Sequence, residues 1–389
     1  MRAASAPAHR PRICFPFAGG TVGGSHISAL KLIKGIDTAQ FEPVVLLGQK
    51  DGAVGELFRA EGIQAEEMPV AMPLAPGVRP APSVLLALPG RLAAMVSFLR
   101  ARRIGLVHTN EGAMHVNWTL AARLAGLPHI WHHRGNPRAL GLRMLAPLFA
   151  SRVISVSSYA APLDGLYSSR RKTNVIYSPF DQSIADVDRA QARAGVERKL
   201  GLPPGTRIVS FLGHFAERKR PEMFVAALAA YRQAHPGVPI VGLIFGEEES
   251  PGQEEALRQT IGRLHAGDFI RMMGFQRPIE PWLAASDALL VPAIEEPFGR
   301  TLIEAMLLGT PVVAAASGGN IEAISHGRTG LLVPPEDISA YVAALHALFR
   351  EASLAEAIAS AARNEAKQKF GVESHVREVL QVYRGLLDR

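Results

Sequence analysis

The chain has 389 residues, 48% of them hydrophobic, with 42 Lys and Arg against 35 Asp and Glu for a formal net charge of +7. That length accommodates two domains of ordinary size, each with its own core, and the hydrophobic fraction excludes a disordered chain. A single cysteine, Cys14, excludes an internal disulfide and a cysteine-based metal cluster and suits a reducing cytosol, while the positive balance favours acidic partners.

The opening residues "MRAASAPAHRP" are small and basic, with no apolar run of signal-peptide length, and are expected to fray. A strand signal over 12–17 leads into the glycine loop "FAGGTVGGSHISALKLIKGI" (17–36) and a helix. This loop lacks a clean G-x-G-x-x-G, and the next strand, "PVVLLG" (43–48), is closed by no acid, which argues against a dinucleotide site. Further strand signals cover 104–109, 129–133, 152–157 and 174–178, with helical patterns between most of them. "VHTNEGAMH" (107–115) follows a strand, which makes Asn110 and Glu111 candidates for lining a ligand cleft. The arginine-bearing amphipathic stretches at 90–106 and 139–152 admit two readings, a membrane-surface contact or half-buried helices with solvated arginines. With aromatics at 6%, a nucleic-acid reader is not expected.

Residues 182–205 are polar, end in Pro-Pro-Gly and carry no strand signal, so a domain boundary is placed there. Strand signals resume at 206–213, 239–246, 269–274, 288–292 and 311–316, and 371–389 reads as a terminal helix that packs back on the first half. The expected fold class is α/β, with two doubly wound parallel sheets over 1–190 and 191–370 and the helix 371–389 crossing back. Ligands bind at the carboxyl ends of such strands, so sheets that face each other would share one cleft. No run of about 20 uninterrupted apolar residues occurs, and no membrane crossing is expected.

The chemistry concentrates in "AIEEPFGRTLIEAMLLGTPVV" (293–313). Pro292 closes a strand, Pro297 and Gly299 make a turn, and a helix runs until Gly309 stops it. Glu296 then lies in the loop and Glu304 inside the helix, leaning back toward the helix N-terminus. A helix start seats phosphate; an acid below it suits ribose hydroxyls, and an acid in the loop suits a sugar beyond the phosphates. The alternative is that Glu295 and Glu296 cap the helix while Glu304 pairs with an arginine.

"EPFGRTLIEAMLLGTPVVAAASGGNIEAISHGRTGLLVPPED" (296–337) resembles the signature of glycosyltransferase family 4, retaining enzymes of GT-B fold with two Rossmann-like domains facing across a cleft. Glu296 and Glu304 meet its E-x7-E core. By that resemblance Glu296 contacts donor-sugar hydroxyls, Glu304 the ribose, and Phe298, Gly299 and Arg300 present backbone to the diphosphate. "FLGHFAERKRPEMF" (211–224) is similar to the family's G-R-L-x-x-x-K-G loop, whose Arg and Lys neutralise the diphosphate. Lys219 falls on the Lys, His214 replaces the Arg, and Arg218 or Arg220 supplies the missing charge or the phosphates sit differently. "RMMGF" (271–275), with Phe275, matches the segment that meets the nucleobase, and Gly23 and Gly24 match the turn that approaches the phosphates. In "GLPHIWHHRGNPR" (126–138) the family's catalytic His position holds Arg134; either His133 beside it serves, or Arg134 contacts sugar or acceptor. Ser178-Pro179 replaces the family's Asn-Gly.

The resemblance implies a hexosyltransferase-type enzyme that moves a sugar from a nucleotide sugar to a glycan or lipid-linked glycan. No cofactor and no metal are expected, since the cations at the site could take a metal's place, and the single cysteine and basic amphipathic stretches lead to an expected cytoplasmic location with a peripheral contact with anionic membrane. The competing readings are a sugar-nucleotide epimerase or phosphorylase on the same fold, and a catalytically idle sugar-nucleotide-binding subunit.

Overall fold

The computed structural model describes residues 10–20, 22–70, 74, 79 and 81–388, so the expected frayed start at 1–9 lies outside the described residues. The chain divides into two units: Met1–Pro179 with Val372–Arg389, and Phe180–Gly371.

In the first unit β1 (Arg12–Phe17), β2 (Glu42–Leu47), β3 (Ala65–Glu67), β4 (Ile104–Thr109), β5 (His129–His133), β6 (Arg152–Ser155) and β7 (Thr173–Val175) form one parallel sheet. Its order is β3-β2-β1-β4-β5-β6-β7. Side chains alternate across the pleat. Ile13, Phe15 and Phe17 therefore enter one core layer with the helix Gly24–Gly35 and the terminal helix Val372–Leu387. Cys14 points into the opposite layer, with Trp118 of the helix Gly112–Ala125 and Leu99 of the helix Pro82–Ala101. The terminal helix contributes buried Val376, Val379, Leu380 and Tyr383 to the first layer. At about 2 kcal/mol for each apolar side chain removed from water, it is part of that core although it lies far along the sequence.

The second unit repeats the plan with β8 (Arg207–Leu212), β9 (Ile240–Phe245), β10 (Ile270–Gly274), β11 (Ala288–Val291), β12 (Val312–Ala315) and β13 (Leu331–Val333). The order is β10-β9-β8-β11-β12-β13. Val209 and Phe211 pack on the helix Pro221–Ala234, whereas Ile208 faces Val196 and Trp282. In each sheet the winding direction reverses at one pair, β1/β4 and β8/β11. The loops leaving those strand ends diverge and open a crevice there.

Two points of the sequence reading are corrected. The break between units falls after Pro179, not at 190/191, and the polar stretch 182–205 contains a helix, Arg189–Leu200, belonging to the second unit. Its surface is polar, but Val196 enters the core and Arg193 reaches Asp287 at 2.7 Å, contacts invisible to a composition reading. Two edge strands of three residues each, β3 and β13, were not read from the sequence. Among the described residues one helix, Pro82–Ala101, is long and apolar enough to cross a membrane by length and composition, which does not bear on the expectation that the chain stays out of the bilayer. Pro89, Gly90 and Arg91 interrupt its apolar run in sequence, and Met95 and Leu99 anchor its second half in the core.

Candidate functional site

The two crevices receive the sequence motifs. In the second unit the loop after β11 turns at Glu295, whose backbone is left-handed at φ +51°, and this sends the next side chain inward. Glu296 is 8% exposed and accepts hydrogen bonds from Arg218 Nη1 at 2.6 Å and Lys219 Nζ at 2.7 Å. Burial alone would raise the Glu296 carboxyl, but the two cations outweigh it and hold the group below the usual range. Both cations come from the short 3-10 turn Glu217–Lys219 after β8. Arg220 adopts a left-handed conformation that turns it away, to Glu336 at 2.5 Å and the Pro335 carbonyl at 3.1 Å. Of the two arginines proposed to replace the missing family Arg, Arg218 is therefore the one aimed at Glu296. His214 is exposed on the same loop.

The loop carrying Glu296 rests on Gly318 and Gly319. A Cβ on Gly318 would lie 2.7 Å from the Glu296 backbone N and O, and one on Gly319 would lie 2.6 Å from the Pro297 carbonyl. Gly319 N–H donates to the Glu296 carbonyl at 2.7 Å. The glycine pair is thus a packing requirement of the acid's loop. Asn320, fully buried, fastens the same loop by donating to the carbonyls of Ala293 and Ala315, while its Oδ1 lies beside Gly299 with no hydrogen-bond partner. Neither role was read from the sequence, although the three residues stand together in it.

Gly299 begins the helix Arg300–Leu308 with no side chain capping it. Glu304, half-buried, reaches back one turn to Arg300 at 3.6 Å, a long ion pair that matches the alternative pairing considered from sequence. The Arg300 guanidinium stacks over Phe180 at 4.4 Å, and burial lowers its pKa while Glu304 opposes the shift. The Phe298 side chain packs against Phe370 and Phe180, so only its backbone is available to a ligand at the helix start. Phe275 follows β10, is exposed, and has Arg277 over its ring at 5.6 Å.

In the first unit Gly23 and Gly24 form the helix start after β1. His26 Nδ1 accepts from Gly23 N–H at 2.9 Å, so its Nε2 carries the proton and donates to Glu111, which also accepts from Ala18 N–H at 2.8 Å. Glu111 therefore joins the loops after β1 and β4. Asn110, also after β4, is buried and accepts through Oδ1 from Arg134 Nη2 at 3.3 Å. Arg134 Nη1 donates to Ser178 Oγ at 3.1 Å, which gives the unmatched Ser178 a partner. His133 turns into its own loop and donates from Nε2 to the Asn136 carbonyl at 3.0 Å; burial pushes it down to about 4. It is a neutral wall of the loop, and Arg134 is the residue that joins Asn110 and Ser178.

Behind Arg134 lies a buried imidazole chain. Tyr383 hydroxyl lies 2.6 Å from His108 Nδ1, His108 Nε2 lies 3.1 Å from His132 Nδ1, and His375 Nδ1 donates to the Tyr177 carbonyl at 2.6 Å. Burial drives all three histidines well toward the neutral form, with Arg134 adding to it. No group of three or more His, Cys, Asp or Glu placed to hold a metal occurs among the described residues.

The family described as "Glycosyl transferases group 1" matches residues 206–351, the span from β8 past β13 that includes the Glu296 loop. The D-inositol 3-phosphate glycosyltransferase of Streptomyces scabiei is 30% identical over 304 residues, covering 72% of this chain and 67% of the relative. The Corynebacterium urealyticum protein of the same name is 28% identical over 245 residues, 60% of this chain and 56% of its own. The first curated relatives are matched over 44 to 64% of their length. Among solved structures, HepE from Anabaena in complex with UDP and glucose is 25% identical with a TM-score of 0.80, covering 97% of this chain and 100% of its own.

Proposed function

Because this chain belongs to the group 1 glycosyltransferases, whose solved structures share its GT-B fold, we propose that it moves a sugar from a nucleoside diphosphate sugar to an acceptor hydroxyl with retention at the anomeric carbon. The observation that carries the reading is the Glu296 carboxylate held by Lys219 and Arg218 at the β8/β11 crevice, beside an uncapped helix start. Two cations and a helix N-terminus suit a diphosphate, and the acid among them suits the sugar beyond it.

In the reaction the bond from the anomeric carbon to the diphosphate oxygen breaks, the bond to the acceptor oxygen forms on the same face, and the acceptor proton passes to the departing diphosphate. Lys219, Arg218 and the helix start stabilise the charge that develops on the leaving group, so the reading needs no metal. Glu296 orients the sugar, Glu304 the ribose, and Phe275 offers a ring to the base. HepE binds UDP and glucose, which favours a UDP-sugar donor. The acceptor is a glycan or lipid-linked glycan at an anionic membrane face, and Arg134, between Asn110 and Ser178, suits a phosphate on it.

The test is a release assay across UDP-, GDP- and ADP-sugars, with Lys219→Ala as the control. One donor should release its nucleoside diphosphate, and Lys219→Ala should lose on the order of 100-fold in kcat, as for removal of a preorganised charge-stabilising donor. Near-normal turnover in the variant, a sugar inverted without acceptor, or consumption of free phosphate would each reject the proposal.

A further inference from the structure

The first unit exposes an apolar face that its own core does not use. The helices Leu140–Met144 and Ala146–Phe149 bury Leu142 and Ala146 against Trp131 and Val153. Leu140, Met144 and Leu148, spaced four residues apart, point the other way and are more than half exposed. Tyr167 hydroxyl donates to the Met144 carbonyl at 2.8 Å. That bond lays the segment carrying exposed Leu163, Leu166 and Tyr167 beside the helices and continues the face. Leu140, Met144, Leu148, Leu163, Leu166 and Tyr167, six large side chains on one local surface, exceed the scattered leucines of an ordinary monomer.

Charge identifies the occupant. Residues 68–178 hold 13 of the 42 Lys and Arg but 2 of the 35 Asp and Glu, which leaves the rest of the chain with 29 basic and 33 acidic residues. The positive balance of the whole protein thus resides in the segment that carries the apolar face. Arg138, Arg143 and Arg171 are exposed around it, and Asp164 is the acid in its midst, 3.9 Å from Arg170. Leucines with a tyrosine, ringed by arginines, match a bilayer interface, where acyl chains take the leucines and anionic headgroups the arginines.

We propose that this surface seats the protein on an anionic lipid bilayer. The inference gives a location to the membrane-side acceptor proposed above and rests on that reading for its purpose, although lipid binding itself requires no sugar.

The full chain should sediment with phosphatidylcholine vesicles containing phosphatidylglycerol, weakly with phosphatidylcholine alone, and less at high salt. Leu166→Ser and Leu148→Ser should each weaken binding on the order of tenfold, and Arg143→Ala by about fivefold. All three side chains are exposed, so circular dichroism and nucleoside diphosphate release should be unchanged. Equal binding to both vesicle types, no binding to either, or unaffected leucine variants would overturn the proposal. So would a dimer in sedimentation equilibrium that these variants dissociate, since a second copy would then occupy the face. Donor release without vesicle binding rejects this surface alone; vesicle binding without donor release rejects the transfer reading alone.

Discussion

Acidification should unfold the first unit before the second, and the imidazoles set the size of the effect. His108, His115, His129, His132, His133 and His375 all belong to that unit, and burial favours the neutral form of each. His129 and His375 fall to about 3 and His133 to about 4. Lys172 opposes protonation of His129, while Arg134 opposes it at His108, His115, His132 and His375. An unfolded chain takes up a proton at each histidine near pH 6.5, whereas the folded unit refuses it until far lower pH. Stability is therefore intact above 6.5 and falls as pH drops from there toward 4, by about 1.4 kcal/mol per pH unit per histidine. Between pH 7 and 5.5 six such groups cost on the order of 7 kcal/mol, which is comparable with the whole stability of a domain.

Tryptophan fluorescence can follow each unit separately, because Trp118 and Trp131 lie in the first and Trp282 in the second. A Trp282→Phe chain should show a denaturation midpoint that collapses between pH 6.5 and 5.5. A Trp118→Phe, Trp131→Phe chain should hold its midpoint over that range. His375→Gln should remove about a sixth of the pH dependence. A flat first-unit midpoint over this range, or loss of the second unit first, would refute the assignment of the histidines as buried neutral groups.

Glu296→Gln frees Lys219 and Arg218, so calorimetry should find UDP bound about tenfold tighter, the scale of a charged hydrogen bond, while sugar transfer falls; equal or weaker UDP binding would contradict the exchange. Gly319→Ala drives a Cβ into the Pro297 carbonyl, and overpacking of that kind should cost about 1–3 kcal/mol in the second unit, measured as a lower urea midpoint, together with lost UDP binding. Arg134→Ala should raise the KM for acceptor at unchanged UDP affinity, and Arg134→Lys should not restore it because a single ammonium cannot bridge Asn110 and Ser178. A fall in UDP affinity with acceptor KM unchanged would move Arg134 to the donor side.

What the sequence disclosed depended on whether the signal was local. β1, β4, β8 and β11 are short runs rich in apolar and β-branched residues bounded by turns, so the switch points and the loops carrying Glu296, Lys219 and Asn110 could be placed without coordinates. The E-x7-E spacing is likewise a local geometric fact. Residues whose meaning lies in a distant partner were not legible. His26 matters through Glu111, Ser178 through Arg134, and His375, in the terminal helix, through Tyr177 about 200 positions earlier. The proposed domain boundary failed for the same reason, since nothing near Arg189–Leu200 announces the ion pair from Arg193 to Asp287.

The departure at His214 illustrates how a local rule can be broken while the site's charge is kept. The family places an arginine there, and this chain has an exposed imidazole. On the same loop the 3-10 turn Glu217–Lys219 presents Arg218 and Lys219 to the Glu296 carboxylate, which suits the proposal that Arg218 supplies the cation. Two cations and one acid leave a net positive charge at the crevice. Glu296 is held below the usual carboxylate range, so it stays ionised as pH falls until well into the acid range, and its contribution to stability is lost only there. Glu296 thus keeps its charge over the pH interval in which the first unit is destabilised. Activity lost between pH 6.5 and 5.5 should accordingly track unfolding of the first unit, with UDP affinity retained. Parallel loss of UDP affinity would instead place a titrating group at the donor crevice, against the geometry of Glu296, Lys219 and Arg218.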